Sequence, residues 1–407
     1  MMIAICAIFK NEYPYILEWI AYHRCLGINR FYIADNISID GSTELLTSLH
    51  ELGVIKRIPY PTEPGVPPQI GAYNSLFNLA DEEWLAFIDA DEFITPSNYE
   101  EGLNELLILL GDSNVSAVAL NWAVYGSSCS IIPENTLVIE RLTKRAGKDH
   151  PVNRHYKSLV RKRDTLCAGK TPHDFILHDE KFYIKTTGSL EAEIHGLSKA
   201  VDWTKARINH YVIKSRAEFI TKKSARGRAT TVDMNLNRTL SFFRSHDLNQ
   251  VEENIPRWFI KKVKTEKNLI IKQLDSIGYS YTDAQYPSSL NRTAHGMGKG
   301  CIDFLNINDE IIELRGWAID RNNFPIKDII AVVNSEIILQ CTKLTFRDRA
   351  DLSDSGLGSG IGAGFNVSLI RPDMDINSID FYGLDINGLA VVELKGSVDP
   401  MAIINVS

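Results

Sequence analysis

Two carboxylates two residues apart, Asp89 and Asp91, stand directly after an unbroken run of apolar residues at positions 84–88. Such a run is typical of a parallel strand covered on both faces. Open α/β sheets bind ligands just beyond the carboxyl ends of their strands. A divalent cation there takes one or two carboxylate oxygens and adds water and substrate phosphates. The pair predicts a metal site for a phosphate-bearing ligand; the alternative is that both residues only cap the next segment.

The residues before this pair alternate between strand and helix patterns. Apolar runs at 2–9 and 84–88 and strand-like segments at 30–34 and 54–58 predict four strands. Helices are expected up to about Leu26, from Ser42, and over 69–80. Gly27 and Gly53 are placed to end the first two helices. This order implies a parallel sheet. Polar residues collect at the strand ends, which places candidate binding groups at one edge of that sheet.

Several ordered motifs occupy those strand ends. They are Lys10-Asn11-Glu12, Glu18-Trp19-Ile20-Ala21-Tyr22-His23, Gly27, Asp35-Asn36, Asp40-Gly41-Ser42, Gln69, Ala72-Tyr73-Asn74 and Asp89-Ala90-Asp91-Glu92-Phe93. With them, residues 2–230 resemble the bacterial branch of the family 2 and family 92 (DUF23-like) glycosyltransferases, which have the GT-A fold. The resemblance implies a nucleotide-sugar donor such as a UDP-sugar, and Mn²⁺ or Mg²⁺ held by Asp89 and Asp91.

The resemblance also implies roles for residues outside the carboxylate pair. Asp35 is expected near the nucleobase or ribose, and His210 matches a histidine that can complete the metal site. Neutral imidazole is a competent manganese ligand; taken alone, a histidine before a tyrosine is more often a hydrogen-bonded core residue. The matched motifs place the following residues at the donor: Lys10, Asn11, Glu12, Asp35, Gln69, Asn74, Asp89, Lys214 and Arg226.

Two stretches are strongly basic in a chain of net charge −7. The first follows His210 and contains Lys214 and Arg226, cations that could stabilise a departing diphosphate; the alternative is a solvated helix face. The second runs from Arg141 to Arg163. It suits an anionic acceptor glycan, a lipid diphosphate or an acidic membrane better than nucleic acid, because the chain is acidic and lacks an aromatic-rich RNA signature.

The catalytic base is the least determined part of the predicted site. Inverting transfer needs a carboxylate that takes the proton from the acceptor hydroxyl. Many carboxylates lie between the D-x-D motif and His210, and we favour Asp174 in Thr171-Pro172-His173-Asp174, with Glu140 nearly as good. We place His173 and Trp122 at the acceptor or the sugar.

Composition bounds the architecture. A chain of 407 residues, 44% of them hydrophobic, can build two domains with a connector. No apolar run is long enough to span a membrane. The first run, at 2–9, predicts a core strand and not a signal peptide. The six cysteines are far apart, which excludes a typical zinc module. Reduced thiols in a cytoplasmic protein are expected.

The later chain predicts a connector and an all-β domain. Residues 257–274 form a lysine-rich amphipathic helix that either lies on an anionic membrane or packs on the catalytic domain. Tyr286-Pro287-Ser288-Ser289 reads as a linker. Strands are predicted at 311–319, 328–333, 336–342, 365–370, 378–386 and 389–394, the last two joined through Asn387-Gly388. A β-sandwich fits this pattern best, and it resembles an accessory domain of some bacterial glycosyltransferases.

These observations lead to one prediction and two alternatives. A GT-A α/β domain (1–237), a helical connector and linker (238–294) and a β-sandwich (295–407) would form a metal-dependent, inverting hexosyltransferase. It would use a nucleotide-sugar to extend a surface glycan or lipid-linked acceptor, as in lipopolysaccharide or capsule synthesis. Peripheral contact with the inner membrane and homo-oligomerisation stay open. The alternatives are an inactive glycan-binding or scaffold protein and a sugar nucleotidyltransferase.

Overall fold

The computed structural model describes most of the chain. Described are residues 2–63, 65–128, 130, 135–191, 195–215, 218–219, 223, 238, 240–283, 298–320, 323–333, 337–357, 360–376, 379–384 and 390–396. The chain divides into two compact units. The first comprises Met1–Ser130, Asn135–Ser215 and Lys222–Gln285, and the second contains Tyr286–Ser407.

The first unit is built on one large sheet. Its strands are β1 (Ile3–Phe9), β2 (Arg30–Asp35), β3 (Lys56–Pro59), β4 (Trp84–Phe87), β5 (Glu92–Pro96), β6 (Ala117–Val124), β8 (Tyr156–Arg161), β11 (Tyr183–Ile184) and β12 (Ala206–His210). They lie in the order β3-β2-β1-β4-β8-β6-β12-β5, with β11 against β6. Only β8 and β5 pair in antiparallel fashion with their neighbours among these strands. The predicted mostly parallel α/β fold is confirmed.

Short strand pairs and helices complete this unit. The pairs are β7 (Lys144–Arg145) with β13 (Val251–Glu252) and β9 (Thr165–Ala168) with β10 (Phe175–Leu177). The helices are α1 (Tyr13–Cys25), α2 (Ser42–Glu51), α3 (Pro68–Leu79), α4 (Asn104–Gly111), α5 (Val138–Arg141), α6 (Leu240–His246) and α7 (Arg257–Ser276).

Local sequence explains the ends of α1. Pro14 stands in its first turn, where a missing backbone N–H costs nothing. Gly27 follows its end with φ +89°, a conformation that disfavours side chains with a Cβ. The predicted stop is therefore confirmed.

The sheet carries a core on each face. Along β1, Ile3, Ile5 and Ala7 face one hydrophobic cluster, whereas Ala4 and Cys6 face the other. Successive strand residues point to opposite faces, so a strand covered on both sides reads as unbroken apolar sequence. This is why the run before Asp89 is apolar throughout.

Helix α7 belongs to the first compact unit. Its apolar stripe of Phe259, Val263, Ile270 and Leu274 is buried in the same cluster as α1. Of the two predicted readings, packing on the α/β unit is the one observed. We predicted that the catalytic domain ends at residue 237, whereas the compact unit extends to Gln285. The predicted linker at 286–289 and the Asn387-Gly388 turn lie outside the described residues.

The second unit is a closed barrel. Its strands are β14 (Lys299–Ile307), β15 (Ile311–Ile319), β16 (Asp328–Val333), β17 (Ile337–Arg347), β18 (Gly364–Ile370), β19 (Ile379–Leu384) and β20 (Ala390–Gly396), with a short helix α8 (Ala350–Asp354). They close in the order β14-β15-β18-β17-β16-β19-β20. The predicted all-β character is confirmed, but the strands do not form two separate sheets.

Strand length explains this closure. The eleven residues of β17 pair with β16 up to Gln340 and with β18 from Cys341 onward, with a register shift beside Cys341. In the same way β20 passes from β19 to β14 after Leu394. A strand that changes partners joins the two sheets, and closure removes exposed edges. Periodicity alone does not reveal such sharing.

The sequence predicts reduced thiols and no membrane-spanning run. The described cysteines, at 6, 25, 167, 301 and 341, form no disulfide with one another, and Cys129 lies outside the described part. No helix within the described ranges is both long and apolar enough to cross a membrane.

Candidate functional site

The site lies at the carboxyl ends of the parallel strands. Asp89 and Asp91 occupy the turn between β4 and β5, closed by a hydrogen bond from Glu92 N to Asp89 O of 3.1 Å. The last residue of β12, His210, pairs directly with Glu92 across the sheet. The turn is held to the next segment because Tyr211 N donates to Asp91 O at 2.9 Å. The topology thus brings His210, distant in sequence, to the carboxylate pair.

The Asp89 carboxylate is bound by side chains from three elements. Its Oδ1 accepts hydrogen bonds from Gln69 Nε2 at 2.7 Å and from the Tyr73 hydroxyl at 2.9 Å. Its Oδ2 lies 2.9 Å from Lys157 Nζ. Although burial opposes ionisation, the Lys157 ammonium lowers the pKa of Asp89. Both oxygens therefore have protein partners, and Gln69, which we predicted at the donor, is one of them.

Lys157 is a fully buried cation on β8. Besides Asp89 it faces Glu92, whose Oε2 lies 3.5 Å from Nζ. Burial by itself disfavours the ammonium, yet the charges of Asp89 and Glu92 raise the pKa of Lys157 overall. Glu92 is equally buried, and burial raises its pKa to about 8. One ammonium thus serves two carboxyl groups in the sheet interior.

Asp91 has a different set of neighbours. Its Oδ2 forms an ion pair with Lys223 Nζ, and its Oδ1 lies 3.7 Å from His210 Nε2. Burial opposes ionisation here too, but Lys223 and His210 hold the pKa of Asp91 well below its usual range. Asp91 and His210 therefore form a carboxylate–imidazole pair beside a cation.

Indole and imidazole rings flank His210. The Trp122 ring lies 4.3 Å from the His210 ring, 4.9 Å from His155 and 5.3 Å from His173, measured between centroids. Burial lowers the pKa values of His155 and His210, and it lowers the pKa of His173 to about 3. These imidazoles are neutral at pH 7, so the wall beside the carboxylates is uncharged.

The residues predicted at the end of β1 form a structured turn. Asn11 adopts φ +53°, which costs Asn less than most residues. Its Oδ1 accepts from Ile39 N at 2.9 Å, and its N–H donates to Ser38 Oγ at 3.0 Å. The adjacent Glu12 is buried and donates its N–H to Ser42 Oγ, and Lys10 is partly buried. The motif links β1 to the loop before α2.

Two other residues predicted at the donor have protein partners. Asp35 is fully buried, and its Oδ2 accepts from Arg57 Nη2 at 2.7 Å and from Thr43 Oγ1 at 2.8 Å. Its Oδ1 accepts from Ser38 Oγ at 3.3 Å. Asn74 Oδ1 accepts from Ala168 N at 2.8 Å and so ties α3 to β9.

The predicted cations lie in different settings. Lys214 has φ +55°, is buried, and places its Nζ 4.3 Å from the centre of the Tyr15 ring. Its charge is among those that lower the pKa of Asp91. Arg226 lies outside the described residues.

The two candidate bases, Asp174 and Glu140, contact different side chains. The Asp174 carboxylate is hydrogen-bonded by Thr171 Oγ1, and its Oδ2 lies 3.6 Å from His195 Nδ1. Asp174 follows His173 in the chain, and the His173 ring contacts the Trp122 ring. Glu140 instead lies on α5 and pairs with Lys264 of α7 at 2.6 Å.

The basic stretch 141–163 does not form one positive surface. Lys157 is buried at the site, Arg145 pairs with Glu253, and Arg161 packs against Trp84 and lies 3.2 Å from Glu83. These cations are adjacent in sequence, but burial and pairing with distant side chains separate them in the folded unit. These three residues therefore do not support the predicted positive surface for an anionic acceptor or membrane.

The residues fit a divalent cation through two ligands. No group of three or more His, Cys, Asp or Glu side chains that could hold a metal occurs within the described ranges. Asp91 and His210 supply one carboxylate and one imidazole, which suits Mn²⁺ or Mg²⁺ if phosphates and water complete the coordination. Asp89, the other predicted ligand, has both oxygens bound within the protein.

Three residues at the site were not among those singled out by sequence. Lys157 was counted only as part of a basic stretch, although a lysine inside the buried strand 156–161 is a signal in itself. Glu92 was quoted in the motif without a role. Lys223 lies in the basic stretch after His210, but no local pattern shows which cation of that stretch reaches Asp91.

Comparison with known proteins identifies relatives for the first unit. The family model described as "Glycosyltransferase family 92" matches residues 1–266. A glycosyltransferase family 92 protein of Arabidopsis thaliana is 29% identical over 173 residues, covering 39% of this chain and 28% of that protein. One from Oryza sativa subsp. japonica is 32% identical over 91 residues, covering 22% and 15%. The matches thus span less than a third of these curated relatives.

Solved structures also resemble the chain. Staphylococcus aureus TarS gives a TM-score of 0.30 at 9% identity, covering 97% of this chain and 78% of that one. The mannosyltransferase PcManGT from Pyrobaculum calidifontis, solved with GDP-Man and Mn²⁺, gives 0.25 at 15% identity, covering 33% and 41%.

Proposed function

Since the chain belongs to glycosyltransferase family 92, we propose that it transfers a sugar from a nucleotide-sugar, specifically a UDP-sugar, to a hydroxyl of a glycan or lipid-linked glycan. The transfer is metal-dependent and inverts the anomeric configuration. The observation that most strongly supports this proposal is the Asp91–His210 pair beside Lys223, at the carboxyl ends of parallel strands. A buried carboxylate, a neutral imidazole and an ammonium together suit a cation-bound diphosphate.

Asp91 and His210 are the residues that would hold Mn²⁺ or Mg²⁺. The ion would supply positive charge to the diphosphate that departs when the glycosidic bond breaks. Lys223, now paired with Asp91, and Lys214, whose charge acts on Asp91, add to that positive charge. Asp89 is proposed to position the donor, because Gln69, Tyr73 and Lys157 hold its carboxylate in one orientation.

The acceptor side is proposed to lie along the Trp122–His173 wall. Asp174 remains the proposed base: it takes the proton of the acceptor hydroxyl as that oxygen bonds to the anomeric carbon and the bond to the diphosphate breaks. Its chain neighbour His173 lies in this wall, whereas Glu140 is paired with Lys264. Uncharged rings suit a sugar surface, which is neutral and apolar on its ring faces.

Thermal stabilisation by nucleotide-sugars, with and without Mn²⁺, tests the proposal. A ligand present at about 100 times its dissociation constant stabilises the folded state by roughly 2.7 kcal/mol. We expect a UDP-sugar to stabilise the wild type only with Mn²⁺, and Asp91→Asn to lose that response. Because Lys223 loses its buried partner in this variant, its shifts are measured from its own, lower unliganded melting temperature. Equal stabilisation of both proteins in EDTA would exclude the metal role.

The products of donor breakdown separate the alternatives. Free sugar released from a UDP-sugar supports a transferase, whereas pyrophosphate release supports a nucleotidyltransferase. Stabilisation by glycans with neither product supports a binding protein. Loss of free-sugar release in Asp174→Asn with unchanged donor binding would support its role as base.

A further inference from the structure

Glu92 is a buried carboxylate that the proposed chemistry leaves without a role. It follows Asp91 directly, begins β5, and is fully inaccessible to solvent. In the antiparallel pairing of β5 with β12 it stands opposite His210. Residues directly opposite on neighbouring strands place their side chains on the same face of the sheet. The register therefore brings this carboxylate to the imidazole that faces Asp91.

The two oxygens of Glu92 have different surroundings. Oε2 accepts a hydrogen bond from Asp89 N at 2.8 Å and lies 3.5 Å from Lys157 Nζ. Oε1 lies 3.9 Å from His210 Nδ1. Neither Oε1 nor Nδ1 has a hydrogen-bond partner within the part of the chain that the structure describes, and both are buried. Buried polar atoms rarely stay unpaired, and these two face each other.

The opposite ring nitrogen decides what His210 can bind. Nε2 lies 3.7 Å from Asp91 Oδ1. Only a proton-free Nε2 presents a lone pair to a cation, so the ring proton must then be on Nδ1. An ionised carboxylate can accept that proton's hydrogen bond but cannot donate one. Carboxylates placed behind a metal-binding histidine fix its tautomer and orientation in this way.

We propose that Glu92 is a positioning residue that holds His210 with Nδ1–H toward Oε1 and Nε2 toward Asp91. The inference rests on the proposed function for the identity of the cation, but not for the orientation of the ring. Its competitor is a purely structural role, in which Glu92 serves only as a counter-ion of Lys157 and a cap for Asp89 N. The two roles differ in whether the effect of Glu92 passes through His210.

The variant Glu92→Gln separates these roles. Its amide oxygen can still accept from Asp89 N, so its NH₂ group would face His210 Nδ1. A donor there requires Nδ1 to accept, which moves the ring proton to Nε2 and removes the lone pair from the cation side. We expect Mn²⁺ binding to weaken by about tenfold, the lower end of the range seen when such supporting groups are lost and no more than the loss of His210 itself would cause.

Glu191→Gln is the matched control. Glu191 is also buried and lies 4.0 Å from Lys185. Its N–H donates to Tyr183 O, and Tyr183 pairs with the first residue of β6, whereas His210 pairs with the last. The length of β6 separates the two positions by about 20 Å. Mn²⁺ affinity should be unchanged in this variant.

A double-mutant cycle gives the decisive result. Mn²⁺ dissociation constants are measured by electron paramagnetic resonance, with UDP present, for the full chain carrying Glu92→Gln, His210→Ala or both. Under the proposal Glu92→Gln weakens binding in the wild type but not in the His210→Ala background. The same loss in both backgrounds, or no loss in the wild type, would overturn it.

Nuclear magnetic resonance of ¹⁵N-histidine-labelled protein keeps the test independent of metal. At pH 8.5 the His210 ring should show the Nδ1–H tautomer, assigned by its loss in His210→Ala. Glu92→Gln should switch it to Nε2–H. If the wild type binds no Mn²⁺, the metal part of the proposed function fails, and this spectrum still decides the role of Glu92. An Nε2–H ring in the wild type would refute it, even if Glu92→Gln fails to fold.

Discussion

The α/β unit buries charge, whereas the described part of the barrel buries almost none. In the former, Lys157, Glu92 and Asp91 are at most 7% exposed relative to solvent and interact with one another or with Asp89. Within the described barrel residues, Asp328 is the one buried charged side chain, and it accepts a bond from Cys341 Sγ at 3.0 Å. Burying charge is expensive, so a protein retains it where chemistry requires it. The contrast agrees with the proposed site in the first unit, and the described barrel residues offer no comparable cluster of buried charge.

The largest expected effect is the loss of stability in Lys157→Met. Without the ammonium, Asp89 and Glu92 face each other in the sheet interior with no shared cation. Breaking a buried pair in this way costs about 3–5 kcal/mol. We expect that loss in the free energy of unfolding of the α/β unit, measured with urea.

Lys299→Met in the barrel is the control. Lys299 is exposed on β14, so the same chemical change should alter stability by less than about 0.5 kcal/mol. Adding Asp89→Asn to Lys157→Met should recover part of the loss. Equal effects of the two lysine substitutions would contradict the contrast between the units.

The second largest expected effect is a loss of stability of the α/β unit as the pH falls. His23 is fully buried; its Nδ1–H donates to Trp19 O at 2.8 Å, and its Nε2 accepts from Ile94 N at 3.1 Å. Burial lowers its pKa to about 3. The folded state therefore binds fewer protons than the unfolded state between pH 3 and 6.5, so stability is present above pH 6.5 and is lost as the pH falls.

Below pH 6.5 the contribution of His23 to the free energy of unfolding falls by about 1.4 kcal/mol per pH unit, or by about 2 kcal/mol between pH 6.5 and 5. His23→Phe should reduce the slope of the urea-derived stability curve over this range by that amount while lowering stability at pH 7. The contributions of His155, His173 and His210, whose pKa values burial also lowers, should remain. Residues 298–407 contain no histidine, so unfolding of the barrel should lack this slope. A curve for His23→Phe that parallels wild type would show that other groups cause the acid sensitivity.

A smaller effect is expected for His210→Ala. Removing the imidazole beside Asp91 should raise the Mn²⁺ concentration for half-maximal donor hydrolysis by roughly tenfold. The exposed His178 provides a control, since His178→Ala leaves the pair intact. An unchanged manganese titration would identify His210 as a core residue.

The smallest effect on chemistry is expected from deleting the barrel. Every proposed donor or metal residue precedes residue 290, so residues 1–290 should keep donor hydrolysis while losing transfer to the natural acceptor or association with partners. Product analysis with and without acceptor measures both. A truncated protein that binds Mn²⁺ but hydrolyses no donor would show that residues after 290 help to build the site.

Local sequence predicted the strands and helices of the α/β unit because their signals are local. The unbroken apolar run before Asp89 records burial on both faces, and Gly27 records a left-handed residue at a helix end. The predicted β-sandwich was wrong for the same reason. A period of two identifies β17 as a strand, but it does not show that β17 changes its partner strand beside Cys341.

The amino-acid sequence by itself determined that two carboxylates end a buried strand, and which motifs surround them. Only the tertiary structure decided their partners. Asp89 meets Lys157 because β8 inserts antiparallel beside β4, and Asp91 meets His210 because β12 pairs with β5. Both contacts join residues more than sixty positions apart. Ion pairing depends on distance in space and on burial, neither of which local spacing encodes, so two similar aspartates acquire different environments only when the sheet forms.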